Sequence, residues 1–266
     1  MAPEPVAYLP DGPLPQPAVV YRWAEDAPLA GQITAVQDLA ELVSALGTIH
    51  RAPNLPDVQT LIAFHQPPDY ATDLAEIREN VERVQTWARR RESQGEPLPD
   101  WAAHLPQLAP GIGETAALAQ ELVRASGMRG ATPTSALIRV DGNLDNILRD
   151  AGGRLTFVDW EYSGAGDPAY DLAELRWHPG ASHLPTEWWD IALDGYPPLP
   201  DDMDFSQRLA LYNRLLPIWW VSRSAFYLLE GTGQVPARPR LTPISEHVLR
   251  EIRARIDELL AFLGLA

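Results

Sequence analysis

Three polar residues in the middle of the chain, Asp141, Asn146 and Asp159, have the types and spacing needed to bind a divalent cation. Hard cations such as Mg²⁺ prefer oxygen ligands, and a carboxylate with an Asn side-chain carbonyl meets that need alongside phosphates and water. Two short strands joined by a turn at residues 150–153 would pair antiparallel and bring Asn146 and Asp159 to one end of a hairpin. Asp141 then lies nearby, free to accept a proton from a substrate hydroxyl.

One Asp for a hydroxyl and an Asn/Asp pair for a metal is the arrangement that kinases use for phosphoryl transfer. The spacing Asp-x-x-x-x-Asn from Asp141 to Asn146 fits that arrangement. Asp and Asn are also common turn residues, and most chance matches to so short a pattern are turns. The pattern therefore gains its weight from the motifs that follow it.

Three segments resemble motifs of the aminoglycoside phosphotransferase and choline-kinase-like family, which shares the protein-kinase fold. Residues 137–148 are similar to its H-G-D-x-x-x-x-N-I-L catalytic loop, residues 158–161 to its I-D-W-E segment and residues 166–173 to its G-D-P-x-x-D-L-A motif. The motifs follow the family's order, and the resemblance extends over essentially the whole chain. It implies an ATP-dependent phosphotransferase that acts on a hydroxyl of a small, cationic molecule.

The resemblance also implies a role for each matching residue. Asp141 is expected to be the catalytic base, Asn146 and Asp159 the Mg²⁺ ligands, and Asp171 a buried anchor that hydrogen-bonds the catalytic-loop backbone. Arg139 is expected to give structural support. Candidates for contact with the substrate are Glu161 and Asp167, and those for holding the adenine of ATP, or the base of GTP, through backbone groups are Val20, Tyr21, Arg22 and Trp23.

The chain departs from the family pattern at several places. Arg139 stands where the family has the histidine of H-G-D, and Val140 replaces its glycine. The family's phosphate-covering loop and strand lysine precede the hinge, where this sequence has only residues 1–17, and all 21 basic residues are arginine. Because positioning and charge neutralisation supply nearly all phosphoryl-transfer catalysis, these departures predict a much slower reaction.

Three explanations for these departures stay open: a truncated sequence, an ATP site completed by a partner, or a non-catalytic, pseudokinase-like binding or scaffolding module. Strands cut from their sheet leave unpaired edges, so we expect self-association or a partner near residues 5–24.

The periodicity of apolar residues predicts a small strand pair followed by a mainly helical body that one β-hairpin interrupts. The resemblance implies that this is an α+β, protein-kinase-like fold, with a mainly helical C-lobe that carries a catalytic β-hairpin and only a remnant of the N-lobe sheet. We assign residues 1–26 to that remnant and its hinge, and residues 27–266 to the helical lobe. Helices are predicted at 33–51, 73–91, 114–126, 205–229 and 244–263; strands at 6–9, 18–24, 136–140, 146–149 and 155–158.

Composition excludes several classes of function. The chain has no cysteine and a formal charge of −15, which argues against thiol chemistry and against a protein that reads a nucleic-acid backbone. Its start has no signal-peptide pattern and no stretch is long and apolar enough for a membrane span, so we expect a cytoplasmic protein with no membrane partner.

Several features have two interpretations. The aromatic residues Trp188, Trp189, Tyr212, Trp219, Trp220 and Phe226 could form a wall for a cationic ligand, although helical spacing favours ordinary core packing. Asp202 could supply a carboxylate to a cationic substrate, but exposed Asp runs are usually solvated. The Gly111/Gly113 and Gly164/Gly166 pairs are typical of ordinary loops.

Overall fold

Helices dominate the part of the chain that the computed structural model describes, namely residues 5–9, 18–21, 26–52, 70–99, 102, 108–125, 136–181, 183–200, 202–231 and 245–264. The helices are α1 (Val36–His50), α2 (Tyr70–Ser93), α3 (Leu108–Ala125), α4 (Pro168–Trp177), α5 (Thr186–Asp194), α6 (Phe205–Gly231) and α7 (Glu246–Phe262). The strands are β1 (Pro5–Leu9), β2 (Ala18–Tyr21), β3 (Ala27–Pro28), β4 (Ala136–Ile138), β5 (Ile147–Arg149), β6 (Leu155–Phe157) and β7 (Gly164–Gly166).

Helix α1 shows how the sequence produces these elements. Leu39, Leu42, Val43 and Leu46 recur at helical spacing, and all four side chains are buried on the face that packs against α5 and β4. At the start of the helix, Asp38 accepts hydrogen bonds from the backbone N–H groups of Thr34 and Ala35, at 2.9 and 3.0 Å. These bonds satisfy donors that precede the first helical turn.

Helix α6 forms the centre of the core. Its apolar residues do not keep to one face, and most of its side chains from Phe205 to Glu230 are buried. A helix that is apolar on all sides is stable in water only when other elements surround it. Here α6 packs against α2, α3, α4 and α7.

The strands within the described residues form three small sheets, two of which contain β4 and β6 and so position the loops that follow these strands. In the central sheet, of order β3-β5-β6, β5 and β6 form an antiparallel hairpin in which Ile147 lies opposite Phe157. Strand β4 pairs with β7, and β1 pairs with β2. The backbone N–H of Leu29 donates to the carbonyl of Ile147 at 2.6 Å, so the segment after the N-terminal strand pair is attached to the hairpin.

The mainly helical architecture with a β-hairpin, predicted from the sequence, is confirmed. Two local predictions were wrong. Gly111 and Gly113 lie inside α3, which begins at Leu108 because Pro110 is compatible with a first helical turn. Gly164 and Gly166 form β7, whose pairing with β4 depends on a segment distant in sequence. The division into residues 1–26 and 27–266 stays a prediction.

Candidate active site

The loop between β4 and β5 is a chain of tight turns that places Asp141. Asp141 Oδ1 accepts the backbone N–H of Asn143 at 3.0 Å, and Asn143 Oδ1 accepts that of Asp145 at 3.1 Å. A single 3₁₀ turn, Leu144–Asn146, then leads into β5. Such side-chain acceptors for nearby backbone donors are the reason Asp and Asn favour turns.

The structure brings Asp141, Asn146 and Asp159 together. Asn146 Nδ2 donates to Asp141 Oδ2 at 2.6 Å and lies 3.4 Å from Asp159 Oδ2. The hairpin causes this convergence, because the backbone N–H of Val158 donates to the carbonyl of Asn146 at 3.0 Å. We call these three side chains the carboxylate–amide cluster.

The cluster carries surplus negative charge. Partial burial and the carboxylates of Glu161 and Asp141 raise the pKa of Asp159, while Arg139 acts in the opposite direction. The exposed Glu161 also accepts a hydrogen bond from Tyr162, which raises the pKa of that phenol. A site in which an ionised carboxylate is disfavoured by its neighbours gains stability when a cation enters.

The donor set of the cluster suits Mg²⁺. Asn146 uses its amide nitrogen toward the two carboxylates, which leaves Oδ1 to act as an oxygen ligand beside Asp159. Within the described part of the chain, no group of three or more His, Asp or Glu side chains could hold a metal. A site with one carboxylate and one amide, completed by phosphates and water, is a common way to bind Mg²⁺.

Asp171, on α4, holds the backbone that leads to Asp141. Its carboxylate accepts the backbone N–H groups of Arg139, at 3.1 Å, and Val140, at 2.8 Å. Oδ2 also lies 3.0 Å from Nε2 of the buried His50. Burial acts to raise the pKa of Asp171, but the bonds from His50 and Arg139 outweigh it and hold that pKa below its ordinary value.

Two residues of the site have positive φ angles although neither is glycine. Val140 has φ of 69° and Asp159 has φ of 58°. Val140 occupies the position where the resembling family carries the glycine of H-G-D, and a β-branched residue in this region is strained. Val140 is therefore held in a backbone conformation that suits glycine better.

Gly142 allows the Asp141 loop to lie directly on α4. A Cβ atom at this position would be 2.5 Å from the carbonyl oxygen of Glu174 and 2.8 Å from Cα of Leu175. Both are backbone atoms, which cannot rotate aside. Only glycine fits this close approach.

Arg139 lies beneath the cluster rather than in solvent. Its side chain is 1% exposed, and its NH2 donates to the carbonyl of Val158 at 3.2 Å. The guanidinium carbon lies 5.2 Å from the ring centroid of Phe157 and 5.8 Å from that of Trp160. This position lies between the segment that follows β4 and the β5–β6 hairpin, and the supporting role expected from the sequence stays a prediction.

Asp167 does not reach the cluster. It is fully buried at the start of α4, where it accepts the backbone N–H of Ala169 at 2.9 Å and faces Arg208 Nε at 2.8 Å. Burial raises the pKa of Asp167, and Arg208 opposes that effect. Arg208 also pairs with Asp202 at 2.7 Å, so the expectation of a solvated Asp202 was wrong. Both carboxylates serve the fold here because a buried guanidinium needs them.

The nucleotide-hinge residues lie partly outside the described residues. Val20 and Tyr21 belong to β2, which pairs with β1 opposite Ala7 and Pro5. Arg22 and Trp23 fall outside the part of the chain that the structure describes, as does most of the segment joining β2 to β3. Their role in holding a purine base stays a prediction.

His178, Trp219 and Trp220 form a half-buried aromatic wall, which the sequence only partly indicated. The rings of His178 and Trp220 are 5.3 Å apart and nearly perpendicular, and Trp219 lies 4.8 Å from Trp220. Burial lowers the pKa of His178 to about 4, although the charge of Asp141 acts to raise it. His178 had no sequence signal, since no histidine spacing marks it.

The remaining aromatic residues of the predicted wall pack in or against the hydrophobic core. Trp189, Tyr212 and Phe226 are buried in the core, and Trp188 is half-buried against it. Tyr212 packs edge to face on Tyr170 with ring centroids 5.3 Å apart. Core packing thus accounts for these side chains, whereas the indole N–H groups of Trp219 and Trp220 donate to Glu76, at 3.2 Å, and Glu174, at 3.3 Å.

A mainly helical body with a small hairpin that collects two carboxylates and an amide defines the kinase-like fold of small-molecule phosphotransferases. The model of the Phosphotransferase enzyme family matches residues 1–205, and the chain belongs to this family. The family and the fold predicted from the sequence are therefore confirmed. No curated protein matches the chain in sequence.

Solved structures show the same fold at low sequence identity. An aminoglycoside phosphotransferase from Alicyclobacillus acidocaldarius superposes with a TM-score of 0.61 at 15% identity, over 99% of this chain and 76% of its own. A spectinomycin phosphotransferase in complex with ADP and spectinomycin gives 0.60 at 11% identity, over 99% and 78%. A Plasmodium vivax ethanolamine kinase gives 0.52 at 16% identity, over 100% and 69%.

No helix among the described residues is both long and apolar enough to cross a membrane.

Proposed function

We propose that this chain transfers the terminal phosphoryl group of ATP or GTP to a hydroxyl of a small, cationic molecule in the cytoplasm. The observation that carries the proposal is the convergence of Asp141, Asn146 and Asp159, with Asn146 Nδ2 donating to Asp141 at 2.6 Å and lying 3.4 Å from Asp159. Family membership and the nucleotide bound in the spectinomycin phosphotransferase support it.

Each residue of the cluster has one role in this proposal. Asp141 accepts the proton of the acceptor hydroxyl while that oxygen bonds to phosphorus and the bond to the departing nucleoside diphosphate breaks. Asn146 holds Asp141 in position through its amide nitrogen. Asn146 Oδ1 and the Asp159 carboxylate would hold Mg²⁺, which supplies positive charge to the phosphate oxygens when bound.

The acceptor is expected to enter beside the aromatic wall. Trp219 and Trp220 present partly exposed indole rings, and the carboxylates of Asp159 and Glu161 add negative charge at the same end of the hairpin. An ammonium group is attracted both by an indole face and by carboxylates. Spectinomycin and ethanolamine, named with two of the similar structures, are amine-bearing molecules of this class.

A second candidate is a module that binds a partner or nucleotide without turnover. It is favoured by the strained Val140, by Arg139 in place of the family histidine, and by a sequence whose basic residues are all arginine. Under this candidate the N-terminal strands β1 and β2 would offer their edges to a second copy or a partner.

Binding of Mg·ATP, followed by thermal shift, tests the proposal. We expect a rise in Tm for the parent protein that is lost in Asp159→Asn and kept in Asp145→Asn. Asp145 is an exposed neighbour in the 3₁₀ turn, so its substitution changes charge by the same amount without altering the cluster. No Tm shift in the parent protein contradicts nucleotide binding by this chain.

Phosphate transfer is then measured with a panel of amino sugars and amino alcohols. Turnover that disappears in Asp141→Asn supports the transferase, since that variant keeps the size of the side chain and loses the proton acceptor. Nucleotide binding without transfer to any member of the panel favours the second candidate.

A further inference from the structure

Among the described residues of the candidate site, Arg139 alone carries a charge opposite to that of the cluster. It is 1% exposed, and its Nε is buried without a hydrogen-bond partner among the described residues. A buried guanidinium is costly unless negative groups surround it. The question is which groups offset its charge.

The position of Arg139 shows which groups offset its charge. Arg139 precedes Asp141 by two residues, its backbone N–H donates to Asp171, and its NH2 donates to the carbonyl of Val158, directly before Asp159. The same three carboxylates, of Asp171, Asp141 and Asp159, are the charges that oppose the lowering of the Arg139 pKa by burial. Asp171, which lies outside the cluster, opposes that lowering most, and Asp141 and Asp159 are the two carboxylates that belong to the cluster.

The rings of Phe157 and Trp160 fix where the guanidinium lies. They stand 5.2 and 5.8 Å from its central carbon, on the hairpin side of the cluster. Arginine, with a planar and weakly hydrated cation, suits such a site against aromatic faces better than lysine does. The charge is therefore held in place and cannot swing out when another cation arrives.

We propose that Arg139 is a built-in counter-cation of the carboxylate–amide cluster, which offsets part of its negative charge from the buried side and weakens divalent-cation binding in the absence of nucleotide. This inference rests on the proposed function, because it takes the cluster as the metal site. Its consequence is that Mg²⁺ binds productively only together with nucleotide phosphates, whose negative charge outweighs that of Arg139.

The test is Mn²⁺ binding to the nucleotide-free protein, measured by electron paramagnetic resonance of the free ion. We expect Arg139→Met to bind Mn²⁺ roughly ten-fold more tightly than the parent protein, because a buried unit positive charge that acts on the cluster is removed. Arg139→Lys retains the charge and should stay within about two-fold of the parent affinity. A gain of affinity is not what loss of a purely structural side chain would produce.

Two further variants keep the test decisive. Arg139→His at pH 8 places the residue of the resembling family in the same position and serves as a second neutral variant if Arg139→Met does not fold. Arg154→Met is the matched control, since Arg154 is exposed and lies at the opposite end of the hairpin. It lowers net charge equally and should leave Mn²⁺ affinity unchanged.

The outcomes distinguish failure of the counter-cation from failure of the metal site in the proposed function. If folded Arg139→Met and Arg139→His bind Mn²⁺ no more tightly than the parent protein, and Asp159→Asn abolishes the binding, the counter-cation alone is overturned. No Mn²⁺ binding by the parent protein or by any Arg139 variant overturns both the counter-cation and the metal site in the proposed function. Equal gains in Arg139→Met and Arg139→Lys also overturn the counter-cation, because the charge is then irrelevant.

Discussion

Nε2 of His50 lies 3.0 Å from Oδ2 of Asp171, although the two residues are 121 positions apart in the sequence. His50 ends α1, and its Nδ1 lies 3.0 Å from the hydroxyl of Tyr196. Asp171 in turn binds the backbone at Arg139 and Val140. The end of one helix is thereby connected to the loop of the candidate base through a single buried carboxylate.

Asp171→Ala should destabilise the protein strongly. The substitution leaves two buried backbone N–H groups and His50 without their acceptor, so we expect a loss of about 3–5 kcal/mol in the free energy of unfolding. Urea denaturation at pH 7 measures it. Asp190→Ala, which removes an ion pair to Arg176 from a side chain that is 62% exposed, should cost about 0–1 kcal/mol.

The same carboxylate sets a pH dependence. Because the folded pKa of Asp171 is lowered, its contribution to stability is present above the unfolded pKa and is lost as pH falls through the folded value. The stabilities of the parent protein and Asp171→Ala should therefore converge in acid. A difference that stays constant down to the acid transition would contradict this assignment.

Gly142→Ala adds a single methyl group but should disturb the Asp141 loop. Its Cβ would clash with the backbone of Glu174 and Leu175, so we expect a cost of about 1–3 kcal/mol and lower turnover. Gly113→Ala is the control. It lies in α3 with nothing within 4 Å of the added Cβ, and should stabilise by about 0.5–1 kcal/mol. Equal effects of the two substitutions would exclude the close approach.

Val140→Gly should leave stability nearly unchanged despite removing a buried side chain. Replacing a β-branched residue that has a left-handed backbone conformation relieves strain and adds about 1–2 kcal/mol to the free energy of unfolding. This gain offsets a loss of about the same size from the apolar area that is no longer buried. Ile138→Ala, in the adjoining strand, should cost about 2–5 kcal/mol because no strain is released. A loss of that size in Val140→Gly, measured by denaturant unfolding, would contradict the strain at this position.

His178 should make the protein less stable between neutral and mildly acidic pH. Burial lowers its pKa to about 4, so the unfolded chain takes up a proton first as pH falls from about 6.5, and stability decreases until pH reaches the folded value. His178→Gln should flatten that part of the pH profile. NMR titration of the His178 ring gives an independent reading.

Much of the candidate site followed from local sequence. The turn residues between β5 and β6 predict a hairpin, and antiparallel pairing alone requires Asn146 and Asp159 to meet at one end. The short spacing from Asp141 to Asn146 then limits how far apart these side chains can be. The helical periodicity of α1 and the long apolar stretch of α6 were equally readable, since both depend on the spacing of neighbouring residues.

The tertiary structure alone decided the partners of the buried charges. Sequence could not show that Asp167 and Asp202 both face Arg208, that Arg139 lies beneath the cluster, or that His178 meets Trp220. Local spacing specifies turns, strands and helical faces because those depend on nearest neighbours. A buried ion finds its partner through the packing of elements far apart in sequence, and the large cost of an unpaired buried charge then selects that packing.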